Sequence, residues 1–215
     1  GDDTYRVDNT GDLVFELANN GIDQVQSSVT VTLSANVENL IMTGAAAING
    51  TGNTLGNILT GNNATNVLSG ANGNDTLRGG AGNDTVIGGS GNDTFVFGRG
   101  DGQDVVQDNS GAADKILYDA SVNPLDLVIT RQVNDLRLAI HGGTEQVTIQ
   151  GWYTSPTTNQ VETILAGNGQ TLLNSQVDQL IQAMAGFSAQ TGLTWDQAID
   201  QQPQQVQTVL AASWQ

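Results

Sequence analysis

The sequence predicts an all-β chain: a coil of short stacked strands, followed by a β-rich cap and short C-terminal helices. Three observations carry this. A nine-residue period runs through the centre, the composition favours turns over a large aromatic core, and the hydrophobic period changes from strand-like to helical near the end.

The period is read directly. Residues 70–78 are GANGNDTLR, 79–87 are GGAGNDTVI and 88–96 are GGSGNDTFV. Asp75, Asp84 and Asp93 recur in register, and Leu59, Leu68, Leu77, Val86 and Phe95 keep the same interval. A strict short period means stacked identical units. In each unit the first six residues are Gly-rich and suit a tight turn. The last three form a short strand with one apolar side chain turned inward. Two units complete one coil. Leu59, Leu77 and Phe95 then form one inner column, and Leu68 and Val86 the other. The same arithmetic stacks Asn57, Asp75 and Asp93 along one edge, with Asn66 and Asp84 along the opposite edge.

Composition agrees. The 215 residues hold 27 Gly but only three Trp, three Tyr and four Phe. The formal net charge is −16, with six Lys plus Arg. Nucleic acid needs a basic surface and is excluded as a partner. No apolar run approaches the roughly 18 residues of a membrane span, so no stable membrane insertion is expected. The chain has no Cys and a single His, His141, which rules out thiolate or multi-histidine metal sites.

Stacked carboxylates about 4.8 Å apart, one strand spacing, repel unless a cation lies between them. Hard cations such as calcium take six to eight oxygens from carboxylates and backbone carbonyls. The Gly-rich turns offer such carbonyls at Gly70, Asn72, Gly73, Gly79, Ala81, Gly82, Gly88, Ser90 and Gly91. Asp75 is expected to share an ion with Asp93, and Asp93 to pair forward with Asp114. Asp84 is expected to share one with Asp104 or Asp101, because an insertion after Phe97 blurs the register. Asp101, Asp104 and Asp114 continue the acidic edge. Val106 and Ile116 follow Asp104 and Asp114 by two residues, as Leu77 follows Asp75. Asn57 and Asn66 replace the carboxylate with a neutral oxygen that can also stack without metal.

These residues resemble the RTX (repeats-in-toxin, haemolysin-type) nonapeptide, GGxGxDxUx with U a large apolar residue. The resemblance is closest over 43–117, and GNDTFVFGRGDGQDVVQD looks like the usual exit from such repeats. It implies a parallel β-roll with several calcium ions between successive coils. It also implies a secreted or cell-surface bacterial protein exported through a type I secretion apparatus. Residues 1–42 resemble the divergent spacers of long RTX proteins, with Asp3 and Asp23 as isolated motif aspartates. The opening GDDTY looks like the second half of a repeat, and the chain is expected to be a fragment from the end of something larger.

After Ile116 the nine-residue period disappears. DLVIT (126–130), DLRLAI (135–140) and EQVTIQGWY (145–153) alternate as antiparallel strands do. With VETILAGNGQTLL they resemble the β-rich cap, 118–173, that often follows such repeats. From 174 to 215 the pattern is helical. Val177, Leu180, Ile181 and Met184 share one face over 175–187. Ser175 with Asp178, and Thr194 with Gln197, are candidate capping boxes. Pro203 is placed to open a last helix carrying Val206, Val209, Leu210 and Trp214. No Lys or Arg follows Arg137, and the tail resembles the address read by the exporter.

Several motifs are set aside. Asn74, Asn83 and Asn92 begin glycosylation sequons, but their turn register explains them. Arg99-Gly100-Asp101 spells an integrin tripeptide without further support. There is no P-loop, HExxH or GxSxG, and no enzyme is expected. The function expected is a calcium-dependent folding and export module. The alternative is an adhesive or ligand-binding β-roll module of a cell-surface protein.

Overall fold

A computed structural model describes residues 1–108, 110–154 and 159–215. The chain winds as a flattened coil of two sheets. β1 (Thr4–Val7), β2 (Gln24–Ser27), β4 (Asn39–Met42), β6 (Ile58–Thr60), β8 (Thr76–Arg78), β10 (Thr94–Phe97) and β12 (Lys115–Tyr118) stack in parallel on one side. β3 (Val31–Thr32), β5 (Gly50–Thr51), β7 (Val67–Asn72), β9 (Thr85–Ser90) and β11 (Gln103–Gln107) stack on the other.

Apolar residues at every second strand position meet between the sheets. Along the first sheet the pairs Val25–Leu40, Leu40–Leu59, Leu59–Leu77, Leu77–Phe95 and Phe95–Ile116 sit directly opposite one another. Along the second, Leu68, Val86 and Val106 do the same. All these side chains are buried. Each full burial is worth roughly 1.5–3 kcal/mol, so the thin double column supplies the coil's cohesion without many aromatics.

The insertions are absorbed in the turns. Asp84 and Asp104 are 20 residues apart and Asp93 and Asp114 are 21 apart, yet each pair lies on adjacent rungs. The strand register survives because a shift of one residue would turn every inward side chain outward.

The coil is closed at its C-terminal end by antiparallel pairing. β13 (Leu127–Gln132), β14 (Asp135–Ile140) and β15 (Gln146–Ile149) form a meander, and β15 pairs in parallel with β11. β16 (Thr163–Leu165) adds to β12, and β17 (Thr171–Leu173) folds back on β16. Trp152 is buried among these strands, and the Arg131 guanidinium sits 4.0 Å over the Tyr153 ring.

The helices α1 (Asn174–Thr191), α2 (Trp195–Gln201) and α3 (Pro203–Leu210) pack on this end. Val177, Leu180 and Met184 face inward, as do Val206, Leu210 and Trp214. Thr194 and Gln197 form the reciprocal capping box. Ser175 does not. The first helix begins at Asn174, and Gln176 Oε1 accepts the Leu173 N–H at 3.1 Å. Strand β17 runs straight into the helix, which leaves no loop in which Ser175 could act as a cap. Gln215 exchanges two backbone hydrogen bonds with Thr171, which pins the end of the chain to β17. His141 joins the two parts of the cap. Its ring nitrogens lie 2.6 Å from Asp196 and 3.0 Å from Asp200, and these partners raise its pKa.

The coil's tight turns require left-handed backbone at one repeated position. Gly80 and Gly89 hold it with φ of 90° and 106°, but Ala71 stands at the same register with φ of 80°. A non-glycine residue in that region is strained by about 1 kcal/mol. Ala71→Gly should therefore raise the thermal midpoint in saturating calcium, by the equivalent of about 1 kcal/mol. An unchanged or lower midpoint would show that the turn carries no such strain.

Candidate metal centre

Two ladders of acidic and amide side chains run along the edges of the coil, where the turns meet the strands. The motif aspartate precedes the inward apolar residue by two positions, so its side chain enters the turn just before the strand begins. There it accepts a backbone N–H from the rung before. Asn57 N donates to Asp75 Oδ1 at 2.7 Å, Asp75 N to Asp93 Oδ1 at 2.8 Å and Asp93 N to Asp114 Oδ1 at 2.6 Å. On the opposite edge Asn66 N donates to Asp84 Oδ1 at 2.8 Å, and Asp84 N to Asp104 Oδ1 at 2.9 Å.

Each of these bonds occupies only one carboxylate oxygen. The second oxygens of Asp75, Asp84, Asp93 and Asp114 are buried with no hydrogen-bond partner among the described residues. Orphaned buried acceptors are rare because they forfeit their hydration. No basic side chain among the described residues pairs with these four. The neighbouring glycines keep the space around the orphaned oxygens open. A methyl group on Gly70 would collide with Asp75 Oδ2 and the Gly88 carbonyl, and one on Gly79 or Gly88 would collide with Asp84 or Asp93 Oδ2. Anionic oxygen, carbonyl oxygen and bare glycine backbone together suit a hard cation, which takes many oxygens and tolerates irregular geometry.

The other turn residues divide. Gly73, Gly82 and Gly91 take φ of 119°, 131° and 132°, which turns the chain into the strand. The Ser90 carbonyl accepts from Gly73 N at 2.8 Å, and Asn72 pairs with Ser90 across the turn. Ala81 lies half-buried beside Gly82. Asp104, not Asp101, stacks on Asp84. Asp101 accepts from Gly98 N at 2.7 Å, and its other oxygen lies 3.6 Å from the Arg78 guanidinium, which is also 3.6 Å from Asp119.

The asparagine rungs are closed by their own hydrogen bonds. Asn57 Oδ1 accepts from Asn53 N at 2.7 Å while its amide donates to Val37 O and Glu38 O. Asn66 Oδ1 accepts from Asn62 N at 2.9 Å and its amide donates to Ile48 O at 2.7 Å. The amide NH2 supplies the positive end that a carboxylate must find elsewhere.

The first ladder extends beyond the repeats in both directions. Asp3 N donates to Asp23 Oδ1 at 2.8 Å, Asp23 N to Glu38 Oε2 at 2.7 Å and Asp114 N to Glu162 Oε2 at 2.8 Å. Asp3, Asp23 and Glu16 bring carboxylate oxygens within 4.8 Å of one another. Glu38, Glu162 and Glu16 are absent from the motif reading. Glu38 and Glu162 do carry its weaker signature, an acid two residues before an inward apolar residue, Leu40 or Ile164.

Two family models match this chain. The RTX calcium-binding nonapeptide repeat (4 copies) matches residues 60–95 and 69–105, and the haemolysin-type calcium binding protein related domain matches 135–165. No curated protein matches it. Fold and edges together define a calcium-binding parallel β-roll. Residues 60–105 carry repeats of the RTX haemolysin-type family. No helix among the described residues is long and apolar enough to cross a membrane.

Without a cation, burial pushes the carboxyls up from 3.8, to about 6 at Asp75 and Asp84 and about 7 at Asp104. A carboxyl whose folded pKa exceeds its unfolded one favours the fold below the unfolded value, and loses that contribution as pH rises through the folded one. The chelated chain should therefore gain β-rich circular dichroism on acidification from pH 8 to pH 5, and calcium affinity should fall over the same range. An unchanged chelated spectrum across this window would contradict the burial of these groups.

Proposed function

We propose that this chain is a calcium-driven folding and export module at the C-terminal end of a larger secreted protein. The observation that carries the reading is the repeated orphaned carboxylate oxygen, set at the rung spacing along both edges. At neutral pH these groups are charged in the unfolded chain. Two unit charges about 5 Å apart repel by about 3 kcal/mol at an effective dielectric of 20. Folding alone therefore stacks unfavourable terms on top of the chain entropy lost by a Gly-rich coil.

Calcium supplies the missing positive charge, so its binding free energy becomes folding free energy. Asp75, Asp93 and Asp114 on one edge and Asp84 and Asp104 on the other are the residues that would hold it, with turn carbonyls such as that of Gly88. In a calcium-poor cytosol the repeats stay unfolded, which suits passage through a narrow channel. Outside the cell they wind into the roll.

In this reading 43–117 is the calcium roll, 1–42 a divergent spacer, 118–173 the cap and 174–215 a helical segment that serves as cap and secretion signal. The cap follows the repeats in the chain and offers β15 and β16 as ready edges for β11 and β12.

Circular dichroism tests the folding half. The spectrum should be mostly disordered in chelator at neutral pH and β-rich in millimolar calcium. Magnesium should substitute poorly because it demands tight octahedral geometry. Identical folded spectra in chelator and calcium would sink the proposal. For export, deleting 174–215 should abolish appearance of the chain in the medium of a host carrying a type I exporter. Calcium binding by 70–117 should survive the deletion. Secretion at the normal level would reduce the tail to a cap.

A further inference from the structure

The cap holds the chain's single histidine between two carboxylates. His141 directly follows β14, and its side chain is 17 % exposed. Its Nδ1 lies 2.6 Å from Asp196 Oδ1, and its Nε2 lies 3.0 Å from Asp200 Oδ1. A neutral imidazole has one N–H and can donate to only one of these acceptors, whereas an imidazolium donates to both. The arrangement is therefore fully satisfied only when the ring is charged. Backbone contacts fix where the ring stands. His141 N donates to Asp126 O at 2.7 Å, and Arg99 Nη1 donates to His141 O at 3.2 Å.

The partner helix needs that charge. Asp196 and Asp200 are four residues apart on the seven-residue α2, so they share one face and repel. Asp200 also stands in the last turn, where the helix dipole disfavours an anion. No Lys or Arg follows Arg137, so the helical segment supplies no cation of its own. The inward face of α2 carries the buried Trp195, Ala198 and Ile199, with Trp195 edge-on to Phe187 at 5.7 Å. Arg99, Asp126 and Glu145 are the other charged groups on the neighbouring turns. Arg99 is held by Asp126 at 2.9 Å, and Glu145 accepts the Gly100 N–H at 3.0 Å, so none of the three bonds the ring.

The geometry points to a proton-operated latch, in which protonated His141 clamps Asp196 and Asp200 and holds α2 to the β-rich cap, and loss of the proton loosens the helix. The hydrogen bond to Asp196, with that to Asp200, raises the ring's pKa above its ordinary value. Such a group stabilises the fold fully below its unfolded pKa, and the contribution is lost as pH rises through the folded one. The latch is thus closed in mildly acidic solution and opens as the solution turns alkaline. Opening leaves two like charges on one helix face with a single N–H between them. The latch draws on no residue of the acidic ladders, so it stands or falls separately from the calcium reading.

The test uses the full chain in saturating calcium. His141 is the only imidazole, so its ring protons give its titration midpoint directly by NMR. Amide hydrogen exchange over 195–201 is followed across the same pH range in the wild type and in His141→Gln, compared at each pH so that intrinsic exchange cancels. At acidic pH the wild-type helix should be protected at least about threefold more than the variant, the scale of one exposed charged pair. That difference should vanish with the same midpoint as the ring, and the midpoint should lie above that of His141 in the urea-unfolded chain. Exchange over β7 and β9 should be the same in both proteins. A ring that titrates as it does in the unfolded chain overturns the latch. So does an α2 whose protection ignores the ring's midpoint, which would leave a surface ion pair alone. Should His141→Gln not fold, Asp196→Asn and Asp200→Asn take its place. Each should lower the ring's midpoint and the protection of α2 at acidic pH, and wild-type values in both variants overturn the proposal.

Discussion

Unpaired negative charge held at a fixed spacing is the constraint on which the rest of the structure depends. Once the inner columns interlock, Asp75, Asp93 and Asp114 must lie one above another, and so must Asp84 and Asp104. Each gives one oxygen to the backbone of the rung before. That bond fixes the carboxylate and leaves its other oxygen buried and unpaired. The same packing that stabilises the coil thus creates a destabilising term. An oxygen-binding cation held there would relieve that term and, by binding the folded chain alone, would stabilise the fold by mass action.

The asparagine rungs show the alternative solution within one molecule. Asn57 and Asn66 occupy the same register as the aspartates, yet their amides donate to carbonyls of the preceding rung. An amide carries donor and acceptor on one group, so it closes the ladder internally. The ladder turns acidic again at Asp23 and Asp3, where Glu38 and Glu16 add carboxylates.

The cap solves a separate problem. A coil of parallel strands ends in open edges, which invite pairing with other chains. β17 turns back on β16, the β13–β14–β15 meander turns back on β11, and Gln215 closes against Thr171. Helix faces then cover the end of the column with Val177, Leu180, Val206 and Leu210. The cap also supplies Glu162 to the acidic ladder, so coil and cap are linked by polar contacts as well as by apolar ones.

Much of this was legible in the residues. A period of nine with an apolar residue in each unit decides the two columns, because stacking is local and each rung repeats the last. The inward faces of the helices and the Thr194 cap follow from equally local rules. The tertiary structure alone decided where the period breaks. The sequence shows that residues are inserted after Phe97 but not which turn absorbs them. Asp104 therefore takes the ladder position because Val106 must face Val86, while Asp101 is drawn to Arg78 across the turn. Glu38 and Glu162 join the ladder for the same reason, through long-range pairing of β4 and β16 that no local pattern specifies. Asp108 ends the exit segment in the sequence, and only the stacking of Ser110 on Ser90 puts it in the place of a glycine. Periodicity determines what stacks within a regular repeat; where the repeat is interrupted, the partner strands select the register.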